Sequence, residues 1–395
     1  MINTKTTKYA LYKYPSTENI GDEIQSIAAR RFLPRIDYYI DRDLVGQWKN
    51  ENGDETVKLI ANGWYMLKPH SWPITDPTID PLLISIYVEQ NSINNIAAKK
   101  FLSSRGKKYI QEHAPIGARD IETESLFRAN NINAYYSGCL TLTLQADPDI
   151  KKQDFILAVD LSEKMLKYLR AKTSRHIINI SPYHNFQLPW QDKFDIAELF
   201  LFLYQSAHAV VASRLHAILP STALNTPVFL VKKAETFEKG RYSGLEDLVR
   251  SANEEEYLND YGLFDLDEPG DNPDKYIAIR NDLIEKCSAF TGYNNKKTFR
   301  TLDFSKLCEN TALINAFAEG FSSIGRAYRL NNELVYRTKE KRNVDRWNYA
   351  LNAENAKLKL ENEELRRELE AITNSNSWKI TKPMRSLGEF LRKNP

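Results

Sequence analysis

Cysteine is scarce in this chain: three in 395 residues, Cys139, Cys287 and Cys308, with no CxxC and no paired spacing. That excludes a disulfide framework, points to a reducing compartment, and leaves no cysteine set for a structural zinc site. Net charge is nearly absent too. The 54 basic and 52 acidic residues leave +2, so nothing pulls the chain as a whole toward nucleic acid and no such partner is expected. Long apolar runs are also missing: neither the opening Met-Ile-Asn-Thr-Lys-Thr-Thr-Lys-Tyr nor any later stretch has the length of a signal peptide core or a membrane span. The expectation is a cytoplasmic protein. What the chain does have is 42% hydrophobic and 11% aromatic residues, enough at this length for two core-forming domains and an appendage.

Apolar segments alternate between strand and helix periods. A strand is expected over residues 8–14, then the tight turn Asn19-Ile-Gly-Asp22 and a helix patterned on Ile24, Ile27, Ala28 and Phe32. Further strands are expected at 37–40, 57–62, 82–88 and near 108–110, with helices at 94–103 and 122–130. The chain then returns through Ala134 to the apolar run Ser137-Gly-Cys-Leu-Thr-Leu-Thr-Leu144, read as a strand. After a polar linker the alternation restarts with strands at 155–159 and 177–180 and helices at 162–172 and 196–206. The spacing predicts an α/β protein with two doubly wound, Rossmann-like domains, residues 1–145 and 146–273, facing each other across a cleft as in the GT-B glycosyltransferases. Helices are expected over 274–328.

The centre of the second domain is the run Val210-Val-Ala-Ser-Arg-Leu-His-Ala-Ile-Leu-Pro-Ser-Thr-Ala-Leu-Asn-Thr-Pro-Val-Phe-Leu-Val231. It reads as a buried strand (209–212), a helix (214–224) broken by Asn225-Thr-Pro, and a second strand (228–231). Arg214 and His216 therefore fall where a strand ends and a helix begins, at the carboxyl edge of a parallel sheet, where open α/β folds bind ligands and helix N–H groups attract anions. Taken alone, an Arg-x-His pair could as well be a helix-start ion pair and a core histidine. Arg119 in Gly117-Ala-Arg-Asp120 and Arg241 in Lys239-Gly-Arg-Tyr, read as a loop, are further candidate anion ligands; their bland readings are a helix N-terminal ion pair and a solvated charge. Asn19, Gly21 and Asp22 are assigned to the cleft, although Gly-Asp before a helix is ordinary capping chemistry. His70 and His184 lie in loops that could border a sugar. Lys232 and Lys233 read as solvated.

Residues 329–373 change composition to Glu, Lys, Arg, Asn and Leu. Leu351, Leu358, Leu365 and Ile372 recur every seven residues, with Asn348, Asn355, Asn362 and Leu369 at the matching a positions. Asn at a favours a two-stranded, parallel pairing, so a homodimer is expected, against the alternative of a solvated amphipathic helix. The basic, aromatic tail over 374–395 could rest on an anionic membrane surface at the inner face of the plasma membrane, or be a disordered end.

Together, Asn19-Ile-Gly-Asp22, Gly117-Ala-Arg-Asp120, Ser137-Gly-Cys-Leu-Thr-Leu-Thr-Leu144 and Ser213-Arg-Leu-His-Ala217 resemble the polysaccharide pyruvyl transferase family in order as well as content. The likeness covers residues 8–250 and takes in Asn62-Gly-Trp-Tyr65, Pro81-Leu-Leu-Ile-Ser85 and Arg241-Tyr-Ser-Gly-Leu245. It implies transfer of the enolpyruvyl carbons of phosphoenolpyruvate onto two hydroxyls of a sugar, giving a pyruvate ketal and free phosphate, with no metal and no cofactor beyond that donor. The acceptor it implies is a lipid-linked or nucleotide-linked precursor of a surface polysaccharide. A compact, highly charged anion needs fixed cations, which Arg119, Arg214 and Arg241 would supply as planar forks. Ketal formation needs a proton on the methylene carbon, for which a histidine of near-neutral pKa, His216, is suited; an imidazolium there could instead steady the departing phosphate. The chain departs from the family at Cys139, where many members carry Gly-Asp, so any role for that carboxylate is in doubt; a lone buried cysteine is read as a small hydrophobe rather than a nucleophile. The rival readings are a sugar-nucleotide glycosyltransferase on the same fold and a non-catalytic scaffold of a biosynthetic complex.

Overall fold

The computed structural model describes residues 6–53, 55–65, 71–90, 96–183, 188–233, 239–299, 319–323, 351–352, 354–371 and 374. Residues 1–328 form one compact unit and 329–395 a second. In the first, β1 (Thr6–Lys13) leads through α1 (Gly21–Arg30) to β2 (Tyr38–Asp41), β3 (Glu55–Trp64) and β4 (Ile79–Tyr87). Then come α2 (Ile96–Phe101), α3 (Ser104–Glu112), β5 (Ile116–Ala118), α4 (Ile121–Ala129) and β6 (Ala134–Tyr136). These six strands form one sheet in the order β2-β1-β3-β4-β5-β6, parallel at every pairing.

A second parallel sheet is built by β7 (Phe155–Val159), α5 (Glu163–Lys172), β8 (His176–Ile180), α6 (Trp190–Ser206), β9 (Ala209–Ala212), α7 (Leu215–Ala223), β10 (Val228–Lys232), α8 (Lys239–Tyr242), β11 (Arg250–Asn253) and α9 (Glu254–Asn259). Its order is β11-β10-β9-β7-β8. Every residue of β7 and β9 is buried, which is why both read as unbroken apolar runs: helices cover a parallel sheet on both faces. α10 (Tyr276–Thr291) then crosses back, Arg280 donating to the Leu144 carbonyl at 2.9 Å and Ile279 packing where a Cβ on Gly138 would stand.

One continuous core joins the two sheets. Ile24, Ile27 and Ala28 of α1 belong to the same buried cluster as Phe200, Leu201 and Tyr204 of α6 and Ile218 and Leu219 of α7. Polar ties cross the same layer: Arg30 pairs with the buried Glu198, and the Lys193 ammonium donates to the carbonyls of Tyr14 (2.9 Å) and Thr17 (2.6 Å). Removing either partner of the Arg30–Glu198 pair would strand a buried charge, which costs about 3–5 kcal/mol, so these ties hold the two sheet edges in fixed relation.

Four expectations are corrected. Residues 108–110 lie within α3 rather than a strand: Ser103 caps that helix by accepting from Gly106, and a Cβ on Gly106 would meet the Phe101 carbonyl oxygen at 2.2 Å, so the glycine permits the tight passage from α2. The run 137–144 holds a 3-10 turn, Leu140–Thr143, with its leucines all in the shared core. Arg241 sits on the short helix α8 rather than a loop, and Lys232 pairs with Glu246 at 3.2 Å. No described helix is long and apolar enough to cross a membrane. Of the heptad segment, residues 351–352 and 354–371 are described, and they are helical and exposed; the tail lies outside the described residues apart from Asn374.

In both sheets the strand order reverses, between β1 and β3 in the first and between β7 and β9 in the second. Crevices at the carboxyl ends of strands at such points are where open α/β sheets bind ligands. The Asn19 turn follows β1, Asp160 follows β7 and Arg214 follows β9.

Candidate functional site: an arginine-lined pocket between two sheet edges

At the end of β7 the chain turns at Asp160, a non-glycine residue in the left-handed region at φ 56°. Its N–H donates to the Ile180 carbonyl (3.0 Å) and its own carbonyl accepts from Ser213 Oγ (2.8 Å). Aspartate tolerates this conformation better than most residues, at a cost of about 1 kcal/mol. The turn presents its carboxylate to Arg214, with Nε 2.5 Å from Oδ2. Arg214 occupies the cap position of α7, and its guanidinium lies 4.7 Å from the centre of the Tyr183 ring. Burial opposes the charge, but Asp160 more than offsets that and holds the arginine above its ordinary pKa.

Two residues on, the backbone of His216 leaves helical geometry (φ −83°, ψ 18°), aiming a 5% exposed imidazole across to the first sheet. A Cβ on Gly21 would stand 2.7 Å from its Nδ1 and 2.9 Å from its own Cβ, so only glycine lets the start of α1 approach this closely. Nε2 lies 4.0 Å from Cys139 Sγ, which accepts from Thr141 Oγ1 at 3.2 Å. Burial, then Arg119, then Arg241 push the His216 pKa well below its usual value. The expectation of a near-neutral pKa is therefore corrected: lost solvation and then two nearby cations oppose a charge on the imidazole and favour its neutral form.

Arg119 follows β5, its N–H donating to the Ile86 carbonyl at 2.8 Å. Its side chain is fully buried, and among the described residues none of its three guanidinium nitrogens has a hydrogen-bond partner. The ion pair with Asp120 is loose, Nε to Oδ2 at 3.9 Å, because Asp120 spends its other oxygen capping α4 through the Thr123 N–H (2.8 Å). Burial first, with Arg119 and Thr123 opposing it, raises the Asp120 pKa to about 6. Arg119 and Arg241 both sit over the Tyr87 ring, 4.2 and 5.7 Å from its centre, and burial followed by Arg241 lowers the Arg119 pKa. Ring faces soften the cost of two such charges but do not replace hydrogen bonds.

The segment carrying Arg241 is tied to both edges. Ile121 and Glu122 donate their N–H groups to Ser243 O (3.2 Å) and Oγ (3.1 Å), the Tyr136 hydroxyl donates to Gly244 O (2.8 Å), and the Tyr242 hydroxyl donates to Ser213 O (3.1 Å). The Asn19 turn closes the remaining side. Asn19 Oδ1 accepts from the Gly21 N–H (3.0 Å), and Ile20 donates to the Pro182 carbonyl (2.9 Å) beside a bridge between Asn19 and Tyr183. Asp22 accepts from Gln25 Nε2 at 3.2 Å, lies 3.7 Å from Arg42 Nη1, and has its pKa raised by burial.

Asn19, Arg214, His216 and Arg241, from three separate stretches of sequence, line one pocket with Tyr183 and Tyr242; its volume is about 30 Å³. Gly21 adjoins it through His216, while Arg119 and Asp22 lie within electrostatic reach of its walls. His70 and His184 lie outside the described residues. Asp160, Tyr87 and Tyr242 escaped the sequence reading. Among the described residues no group of three His, Cys, Asp or Glu side chains is arranged to hold a metal ion. A larger cavity of about 640 Å³ flanks the edge strand β8, but it contains none of these residues, and its Arg175 is already paired with Asp154 and Asp267.

Fold and pocket thus define an α/β protein with an arginine-lined pocket between the carboxyl edges of two parallel sheets. Residues 19–232, more than half of the chain, match the family described as polysaccharide pyruvyl transferase, and the chain belongs to that family. No curated protein matches it. Among solved structures, a functionally uncharacterised protein from Klebsiella pneumoniae subsp. pneumoniae is similar at 12% identity and TM-score 0.37, over 60% of this chain and 87% of that one. A variant of the wall teichoic acid polymerase TagF is similar at 13% identity and TM-score 0.34, over 80% of this chain and 89% of that one. At such scores neither likeness carries weight for function.

Proposed function

We propose that the protein transfers the enolpyruvyl group of phosphoenolpyruvate to two hydroxyls of a sugar in a lipid-linked or nucleotide-linked precursor of a surface polysaccharide, on a GT-B-like pair of domains divided near residue 145. The single observation that carries this reading is Arg119. A fully buried guanidinium whose three nitrogens make no hydrogen bond among the described residues is costly, and the cost is recovered when an anion accepts from it. Phosphoenolpyruvate offers a phosphate and a carboxylate to the forks of Arg119, Arg214 and Arg241. The pocket as it stands has room for about one water, so donor binding requires its lining side chains to move outward.

His216 is the proposed proton carrier. An incoming multivalent anion cancels the field of Arg119 and Arg241, raising the imidazole pKa so that His216 takes up a proton as the donor binds. That proton goes to the methylene carbon while one sugar hydroxyl adds to C2 and gives its own proton back to the now neutral His216. The second hydroxyl then replaces phosphate at C2, its proton leaving with the phosphate, and the ketal closes. A basic tail resting on an anionic membrane, where lipid-linked acceptors lie, fits the same reading.

Calorimetry with phosphoenolpyruvate, and with a sugar nucleotide for comparison, tests it. The expected result is selective phosphoenolpyruvate binding, weakened in both Arg214→Ala and His216→Ala, the arginine loss costing about 1.5–3 kcal/mol, or ten- to a hundred-fold in affinity. Sugar-nucleotide binding without phosphoenolpyruvate binding would replace the proposal with glycosyl transfer, and binding of neither would leave a scaffold role.

A further inference from the structure

The helix over residues 354–371 presents Leu358 and Leu365 to solvent, 50% and 63% exposed, with Leu351 one heptad earlier at 51%. With these leucines at d, Asn355 and Asn362 fall at a, and the flanking positions separate by sign. Every g position holds glutamate (Glu354, Glu361, Glu368), while the two e positions hold Lys359 and Arg366. We propose that this helix pairs with the same helix of a second copy of the chain as a parallel, in-register coiled coil.

The charge pattern selects the occupant and its orientation. In a parallel pair each g residue faces the e residue of the partner's next heptad, which sets Glu354 against Lys359 and Glu361 against Arg366 in both directions. In an antiparallel pair g faces g and e faces e, so glutamates would oppose glutamates and cations would oppose cations. The a positions agree. A buried asparagine is tolerated when it meets another asparagine across the seam, and the in-register arrangement supplies that at both Asn355 and Asn362. Within one chain Asn362 donates only to the Leu358 carbonyl at 3.2 Å, and Glu361 has a loose, exposed contact with Lys357 at 3.9 Å; neither commits the side chain. The leucine recurrence from Leu351 to Ile372 gives the seam the length a coiled coil needs. Leu360 falls at an outer f position and takes no part.

The test uses the full chain in sedimentation equilibrium. Wild type is expected as a dimer that dissociates on dilution. Glu354→Lys with Glu361→Lys, and separately Lys359→Glu with Arg366→Glu, should each weaken self-association about a hundredfold, and an equimolar mixture of the two should recover a dimer. Orientation is read from Asn355→Cys: an in-register parallel dimer forms a disulfide across the seam under mild oxidation, beyond the background of the parent chain. A wild type that stays a single chain at every concentration overturns the proposal. So do a dimer indifferent to both charge reversals and a dimer in which Asn355→Cys fails to cross-link.

Discussion

The two sheet edges that meet at the pocket solve the burial of arginine differently. On the second, Arg214 is explained without a ligand: Asp160 accepts from its Nε, Tyr183 lies under its face, and about a quarter of its side chain remains in contact with solvent. On the first, Arg119 is wholly buried, its carboxylate neighbour stands 3.9 Å off and caps a helix instead, and its other charged neighbour is a second arginine. Such a loosely paired buried charge contributes little to stability, since replacing buried ionic groups with apolar ones of similar volume is often neutral or stabilising. The contrast favours the proposed reading, in which Arg214 belongs partly to the scaffold and Arg119 is held for the donor.

The largest expected effect sharpens that contrast. Arg119→Leu should reduce phosphoenolpyruvate affinity by about 3–5 kcal/mol, from the loss of two charge-assisted contacts, while raising the stability of the ligand-free protein by about 1–3 kcal/mol. Asp160→Asn, which keeps the left-handed turn, should act the opposite way. It removes the charge that pairs with Arg214 and should cost about 1–3 kcal/mol in urea denaturation, with a smaller loss of donor affinity. Gly21→Ala forces a methyl group against His216 and should cost about 1–2 kcal/mol and lower kcat, because Gly21 and His216 meet across the boundary between the edges. Lys232→Ala, which removes the partly exposed pair with Glu246, should change stability by about 0.5–1 kcal/mol; a larger change would mean that β10 contributes more to the site than its position implies.

Acidity separates the two edges as well. His216 has a folded pKa depressed below the unfolded value of about 6.5, so between those two values the unfolded chain binds the proton and the folded one does not. Its contribution to stability is therefore full above pH 6.5 and is lost as pH falls toward the folded pKa. Asp120, raised to about 6, works in reverse: from about pH 6 downward the folded state holds a proton that the unfolded chain releases until near pH 4. The difference in melting temperature between wild type and His216→Gln, measured from pH 7 to pH 5, isolates the histidine and should narrow steadily as the pH falls. A constant difference would contradict the buried, neutral imidazole.

Much of this architecture was legible because parallel strands buried on both faces leave plain signals. β7 occupies the very residues expected, 155–159, and β9 and α7 fall where the run around Arg214 and His216 placed them. Other elements carried no periodic mark. α3 contains Gly106 and a cluster of cations, and its helical state depends on the Ser103 cap and on the tight approach to Phe101, which a local window does not contain. The turn 140–143 has the alternation of a strand, but its leucines are buried by α1 and α7 rather than by a sheet. Asp160 was missed because a single aspartate after an apolar run looks like a loop residue; its partner Arg214 is 54 positions away, and only the pairing of β7 with β9 brings them together. That the Arg119 guanidinium makes no hydrogen bond among the described residues was illegible for the same reason, since Asp120 stands next to it in sequence and suggests a close ion pair, which helix capping leaves at 3.9 Å.

The most direct test of the reserved arginine is a crossed thermal-denaturation measurement on wild type and Arg119→Leu, each with and without saturating phosphoenolpyruvate. Binding to the native state alone raises wild-type stability by about 2.7 kcal/mol at a hundredfold excess over Kd. The account predicts that Arg119→Leu melts above wild type without ligand and gains nothing when ligand is added. A variant that melts lower and is still protected by phosphoenolpyruvate would show that Arg119 serves the fold and that the anion is held elsewhere.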